Sequence, residues 1–201
     1  VLLAEVDFTA RQPNLSACPP DASSLQPLDD PEANAAIEQA VTALLKSRRP
    51  VLLAGGGIIR AVASQSVKEF CEIYPLPVVS TLMGLGAIAP DQANYLGLTG
   101  MLGHWAANLF IAEADLVMAV GCRSSDRVTS DRSSYTKNKT IVHLDIDAAE
   151  IGKNVDTAVM VIGELQHSLQ KLAQRLRHSA LPCHTAWLGQ VRQWQQQHQP
   201  Q

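Results

Sequence analysis

Five short apolar runs recur along the chain: PVLLAGGG (50–57), LPVVST (76–81), DLVMAVG (115–121), TIVHLDID (140–147) and AVMVIG (158–163). None shows the alternation of a strand with one wet face, so each predicts a strand buried on both sides. Such strands need helices above and below the sheet, and the segments between them supply candidates. A helix is expected over 31–48, with Asp30 as N-cap, Pro31 in the first turn and Ile37, Val41, Leu44 and Leu45 on one face. Others are expected over 61–74, with Val62, Val67, Phe70 and Ile73 inward, over 105–113, and over 164–178, with Leu165, Leu169, Leu172 and Leu176 in one stripe. The segment from Leu82 to Gly103 reads as a long glycine-bearing loop. The predicted class is α/β, a parallel sheet with helices on both faces.

Composition agrees with a sheet core of small aliphatic residues, since hydrophobic residues make up 46% and aromatic ones only 4%. Residues 1–30 read as a strand (VLLAEVDF) followed by a linker stiffened by Pro13, Pro19, Pro20 and Pro27; 31–178 reads as the folded domain and 179–201 as a C-terminal linker or helix. Trp187 and Trp194 share a helical spacing there, which favours a helix packed on a domain outside this chain. With an abrupt start that lacks methionine or a basic leader, the chain is expected to be an excised piece of a longer protein, and its opening run is not expected to be a signal peptide. A net charge of −3 offers no attraction for nucleic acid or an anionic membrane, and no run approaches the roughly 18 apolar residues of a membrane span. Four cysteines without C-x-x-C spacing indicate neither zinc nor a disulfide framework, as expected of a cytoplasmic protein.

Ligands of open parallel sheets bind beyond the carboxyl ends of the strands, so the residues there are the candidates. After the first run stand Gly55, Gly56 and Gly57, which either form a tight turn or admit a phosphate close to backbone amides. Arg60 occupies the third glycine position of G-x-G-x-x-G, and the next run ends in Ser80-Thr81, not in a ribose-binding acid, which disfavours ordinary NAD binding. Arg123, Asp126 and Arg127 follow the third run, either as an anion site or as a charged loop held by its own ion pairs. Asp145 and Asp147 end the fourth. Gripping a nucleotide's ribose suits them better than metal binding or catalysis, while Asp147 also fits a helix cap ahead of AAEIG. His143 is expected to be a core residue and His104 to approach a ligand, with His167, His178, His184 and His198 at the surface.

Taken in order, PVLLAGGG, PVVSTLMGLGAI, LGLTGMLGHWAANL, ADLVMAVGCRSSDRVTS, IVHLDIDAAEIGKN and VIGE resemble the central domain of thiamine-diphosphate-dependent enzymes, most closely the acetohydroxyacid (acetolactate) synthases. The resemblance implies a three-layer Rossmann-like domain with about six parallel strands, and a bound FAD that takes no redox part in the carboligation. By position, Gly55, Gly56, Gly57, Thr81, Leu82 and Met83 match flavin-contacting stretches, as do Gly100, Met101, Leu102 and Gly103. So do Gly121, Cys122, Arg123, Asp126 and Arg127, then Asp145, Ile146, Asp147, Glu150 and Ile151, and finally Gly163 and Glu164. The family usually reads Met-His-Gly at Met101-Leu102-Gly103, Phe-Asp-Asp-Arg at Ser124-Ser125-Asp126-Arg127, and Gly-Asp at Gly163-Glu164.

The activating glutamate and the Gly-Asp-Gly...Asn motif of such enzymes are absent here. Thiamine diphosphate and Mg2+ are therefore expected on neighbouring pyrimidine- and diphosphate-binding domains of a homo-oligomeric parent. That parent would decarboxylate a 2-keto acid and join the product to a second carbonyl, in branched-chain amino-acid biosynthesis, while this chain alone stays inert. Alternatives are the central domain of an oxalyl-CoA or glyoxylate decarboxylating relative, binding ADP or FAD, and a structural spacer. A sirtuin-like NAD module is disfavoured by the incomplete fingerprint and the missing zinc cysteines.

Overall fold

The computed structural model describes residues 31–129 and 135–197. The strand and linker expected over 1–30 and the surface position expected for His198 lie outside the described residues, as do the side chains of Asp126 and Trp194. In chain order the elements are α1 (Pro31–Lys46), β1 (Pro50–Ala54), α2 (Gly56–Arg60), α3 (Ser64–Ile73), β2 (Val78–Ser80) and β3 (Tyr95–Leu98). Then follow α4 (Trp105–Glu113), β4 (Leu116–Val120), α5 (Asp126–Thr129), β5 (Thr140–Asp145), β6 (Val159–Ile162), α6 (Leu165–Arg177) and α7 (Thr185–Gln197).

The strands form one sheet, parallel throughout, in the order β3-β2-β1-β4-β5-β6. From β1 the chain winds outward through β2 and β3, then returns to lay β4 against the free side of β1 and winds the other way. The winding therefore reverses between β1 and β4, the place where open parallel sheets take up ligands. The inner strands β2, β1, β4 and β5 bury both faces as expected. Along β1, Leu52 and Ala54 join the layer of α1, α3 and α6 that contains Leu44, Phe70 and Leu172. Val51 and Leu53 join the opposite layer, with Phe110 of α4 and Trp187 of α7.

Four expectations are corrected. The helix predicted over 61–74 starts later, as α3 at Ser64: a separate short helix, α2, ends at Arg60, Val62 turns with φ 53° and is 78% exposed, and Ala63 takes the buried place before α3. The predicted loop contains edge strand β3, whose Tyr-Leu-Gly-Leu sequence is too short, and too interrupted by Gly97 at φ 91°, to register as a run. Strand β6 is also an edge, and Met160 and Ile162 face outward from it, so burial there is one-sided. His184 is buried, not superficial. Its Nε2 meets Tyr74 Oη at 2.9 Å, and that hydroxyl also donates to Leu44 O at 2.6 Å.

The same region decides where α7 belongs. Trp187 is buried on this domain, its Nε1 donating to Pro50 O at 3.1 Å and its ring meeting Phe110 edge-on at 5.2 Å. The tryptophan that seemed to need a missing partner is thus satisfied by α4 and the start of β1.

Candidate functional site

The carboxyl ends of β1, β4 and β5 are stitched backbone to backbone. Gly55 N donates to Val120 O at 2.9 Å, Gly57 N to Gly121 O at 2.8 Å, and Gly121 N to Leu144 O at 2.8 Å. A Cβ on Gly55 would stand 2.1 Å from Gly121 O, and one on Gly57 would stand 2.6 Å from Gly121 Cα. Of the two readings of the triple glycine, the turn is thus built for contact with the neighbouring loop, and the amides of Gly55 and Gly57 are already engaged. The next loop presses on the first: Thr81 Oγ1 accepts from Gly84 N at 3.1 Å, and a Cβ on Gly56 would meet Met83 O at 2.8 Å. That turn leaves Leu82 and Met83 exposed at the crest.

Asn108 holds the loop after β3. Its Oδ1 accepts from Thr99 Oγ1 at 2.8 Å and Gly100 N at 2.7 Å, while its Nδ2 donates to Gly100 O at 3.0 Å. Met101 N donates to Arg127 O at 2.9 Å, so the Gly100–Gly103 loop is tied to α5. Met101, Leu102, His104 and Trp105 are exposed there. Sequence reasoning missed Asn108, whose one signal is an amide within the otherwise apolar WAANLFIAE.

Charge gathers on the other side of the reversal point. Arg123 Nε lies 3.6 Å from Glu150 Oε2, and Lys153 Nζ lies 3.2 Å from Glu150 Oε1. The arginine's partner thus comes from the loop after β5, which joins two stretches that sequence had singled out separately. Asp145 Oδ1 accepts from Asp147 N and Asp147 Oδ1 from Ala149 N, both at 3.0 Å. Asp147 therefore closes a turn; no helix begins there for it to cap. Asp145 Oδ2 lies 4.0 Å from His143 Nε2. Beneath it Ile151 is buried, Ile146 is exposed, and Gly163 N donates to Asp145 O at 3.0 Å, which brings Gly163 and Glu164, at the start of α6, to the same edge.

His143 is buried as expected, and burial holds its pKa below the usual value against the opposing pull of Asp145. Burial also pushes the Cys122 thiol up to about 12, so it is protonated and no nucleophile at neutral pH. Among the described residues no three His, Cys, Asp or Glu side chains gather to hold a metal. What remains at the strand ends is a guanidinium with its carboxylates in the loops after β4 and β5, and exposed apolar side chains in the loops after β2 and β3.

Residues 37–172 match the family model described as thiamine pyrophosphate enzyme, central domain. The acetolactate synthase large subunit of Parasynechococcus marenigrum is 40% identical over 166 residues, covering 82% of this chain and 27% of that protein. A probable acetolactate synthase large subunit of Methanocaldococcus jannaschii is 39% identical over 155 residues, covering 77% and 26%. For acetolactate synthase isozyme 3 large subunit of Escherichia coli the figures are 38% over 162 residues, 79% and 28%. The chain thus spans little more than a quarter of the length of these relatives.

Proposed function

This chain belongs to the thiamine pyrophosphate enzymes, matching their central domain, and on that premise we propose that it is the FAD-binding domain of an acetolactate synthase-type enzyme. The observation that carries the proposal is that the loops at the carboxyl ends of the strands carry Arg123 and Asp145 on one side of the β1/β4 reversal and the exposed Leu82, Met83, Met101 and Leu102 on the other. This donor set fits a flavin dinucleotide. A guanidinium suits its pyrophosphate, a turn-fixed carboxylate suits ribose hydroxyls, and solvent-facing apolar side chains suit an aromatic ring system. FAD would supply a planar ring system and a diphosphate for these residues to hold, and the resemblance implies that it would take no redox part in the reaction.

The chain's own residues bind and orient. Asp145 accepts from ribose hydroxyls, Arg123 exchanges or shares its contact with Glu150 for phosphate oxygens, and Asn108 fixes the loop that carries Met101 and Leu102. Residues 31–178 then constitute the central domain, 1–30 the exit from a preceding pyrimidine-binding domain, and 179–201 the lead toward a diphosphate-binding domain. Those neighbours hold thiamine diphosphate and Mg2+ in a cytoplasmic homo-oligomer that decarboxylates a 2-keto acid and ligates the product to a second carbonyl. No described helix is long and apolar enough to cross a membrane.

The test mixes the purified chain with FAD, removes free ligand by gel filtration and reads flavin absorbance, with ADP and NAD titrated by calorimetry. Retained flavin, lost on Arg123→Ala and Asp145→Asn without a change in melting, is the expected result. ADP binding without flavin would shift the parent toward the CoA-linked decarboxylases, and binding of neither would refute the nucleotide site. Acetolactate formation by this chain with added thiamine diphosphate and Mg2+ would overturn its assignment as inert alone.

A further inference from the structure

His143 and Asp145 stand two residues apart on β5, so their side chains leave the same face of the sheet. His143 lies in the middle of the strand, opposite Ala119 of β4 and Met160 of β6, and is 1% exposed. Its Nε2 is buried without a hydrogen-bond partner among the described residues. A buried polar nitrogen left unpaired in a strand is costly, and native interiors rarely tolerate one without a use for it. Asp145 Oδ2 lies 4.0 Å away, too long for a hydrogen bond but within reach of a small turn of the carboxylate, and the Cys122 backbone is a second polar group that hydrogen-bonds the ring. Asp145 Oδ1 is meanwhile pinned by Asp147 N at 3.0 Å.

We propose that His143 is the positioning residue of this site: its Nε2–H takes hold of Asp145 Oδ2 as ligand binds, clamping the carboxylate between imidazole and turn so that its remaining lone pairs accept from a vicinal diol. His143 touches no ligand and acts through Asp145. The arrangement requires the neutral imidazole that carries its proton on Nε2. Burial favours the neutral form, while Asp145, Glu150 and the Cys122 backbone favour the charged one, burial being the larger influence. The clamp gives the site its demand for a ribose-type diol: a phosphate offers no donor to a fixed carboxylate, whereas two adjacent hydroxyls offer two.

The proposal rests on Asp145 being a nucleotide grip, and the experiment separates the two claims. Nitrogen-15 spectra of the histidine side chains in the free 201-residue chain report tautomer and environment, and are recorded with and without ADP and in Asp145→Asn. The expected result is an Nε2–H tautomer for His143 whose signal shifts on ADP addition and in Asp145→Asn. ADP affinity is then measured for wild type, His143→Leu, His143→Gln, Asp145→Asn and His143→Leu/Asp145→Asn. His143→Leu should weaken ADP about tenfold, His143→Gln should recover most of that loss, and the double variant should bind no more weakly than Asp145→Asn. Additive losses, or ADP affinity unchanged in His143→Leu, would overturn the proposal. If wild type binds no ADP, the nucleotide site itself falls. The pairing is then decided by the free-chain spectra, and an Nδ1–H tautomer indifferent to Asp145→Asn ends it. Should His143→Leu fail to fold, the spectra of Asp145→Asn and the affinity of His143→Gln carry the same decision.

Discussion

Gly55→Ala separates a glycine kept for packing from one kept for a ligand. Its backbone sits at φ −100° and ψ 173°, where any residue is comfortable, so the substitution introduces no torsional strain. The steric cost is another matter. The new methyl carbon would stand 2.1 Å from Gly121 O and 2.5 Å from Cys122 Cα, where ordinary contacts begin near 3.5 Å, and both neighbours are backbone. No rotamer change relieves that clash. Strands β1 and β4 must part at their carboxyl ends, which strains the bond from Gly55 N to Val120 O and the register of Ala54 against Val120. Overpacking of side chains costs about 1–3 kcal/mol, and a clash with backbone belongs at or above the top of that range, about 3 kcal/mol. In a domain of this size that lowers Tm by about 6–12 °C. Gly189→Ala is the matched reference, since nothing lies within 4 Å of its Cβ and it sits within α7, where alanine gains about 0.5–1 kcal/mol. Urea unfolding and thermal melting of both variants, without nucleotide, decide the matter. A Gly55→Ala chain as stable as wild type, but unable to retain FAD, would refute the packing argument and reserve the glycine for ligand approach.

Three further outcomes follow from the same structure. Trp187→Ala removes the contact with Phe110 and the bond to Pro50 O and should cost about 3–5 kcal/mol, with α7 cleaved early in limited proteolysis; protection like that of wild type would show α7 held by other means. Asn108→Ala leaves Gly100 N and Thr99 Oγ1 without their acceptor and should cost about 1–3 kcal/mol, read as faster amide exchange confined to 99–103. His143 and His184 are both held below the ordinary value of 6.5, chiefly by burial. The unfolded chain thus binds more protons between the folded pKa values and 6.5, so stability is full above 6.5 and falls as pH drops below it. Urea midpoints compared at pH 7.5 and pH 5.5 test this, and a flat profile for these two groups would contradict it.

The fold was legible where burial acts on both sides of a strand. The four runs that became β1, β2, β4 and β5 are apolar and covered along most of their lengths, and their class and direction followed from that. Edges were less legible for a matching reason. Strand β3 presents one mostly covered residue, Leu96, among partly exposed neighbours, and Met160 and Ile162 on β6 are apolar residues that face outward. Periodicity records burial, and at an edge burial is incomplete. Val62 failed differently: helical spacing continued through it, but the chain needed a left-handed turn to pass from the glycine turn into α3, a demand set by the distant Gly121.

At the site, chemistry that acts at the strand ends was visible and chemistry that acts through a neighbour was not. Asp145 and Arg123 announce themselves, because a carboxylate or guanidinium at the end of an apolar run has no packing reason to be there. Glu150 as the partner of Arg123 could not be read, since 27 residues of chain separate them and the pairing exists only because β4 and β5 lie side by side. Asn108 and His143 were disguised further, one inside a helix and one inside a strand, each looking like a tolerated polar residue in a core. Asn108 uses its amide oxygen and nitrogen on one loop, and His143 leaves Nε2 without a partner 4.0 Å from the carboxylate of Asp145. A buried polar group with an unspent hydrogen bond next to a strand-end carboxylate is therefore the feature to seek in relatives of this domain.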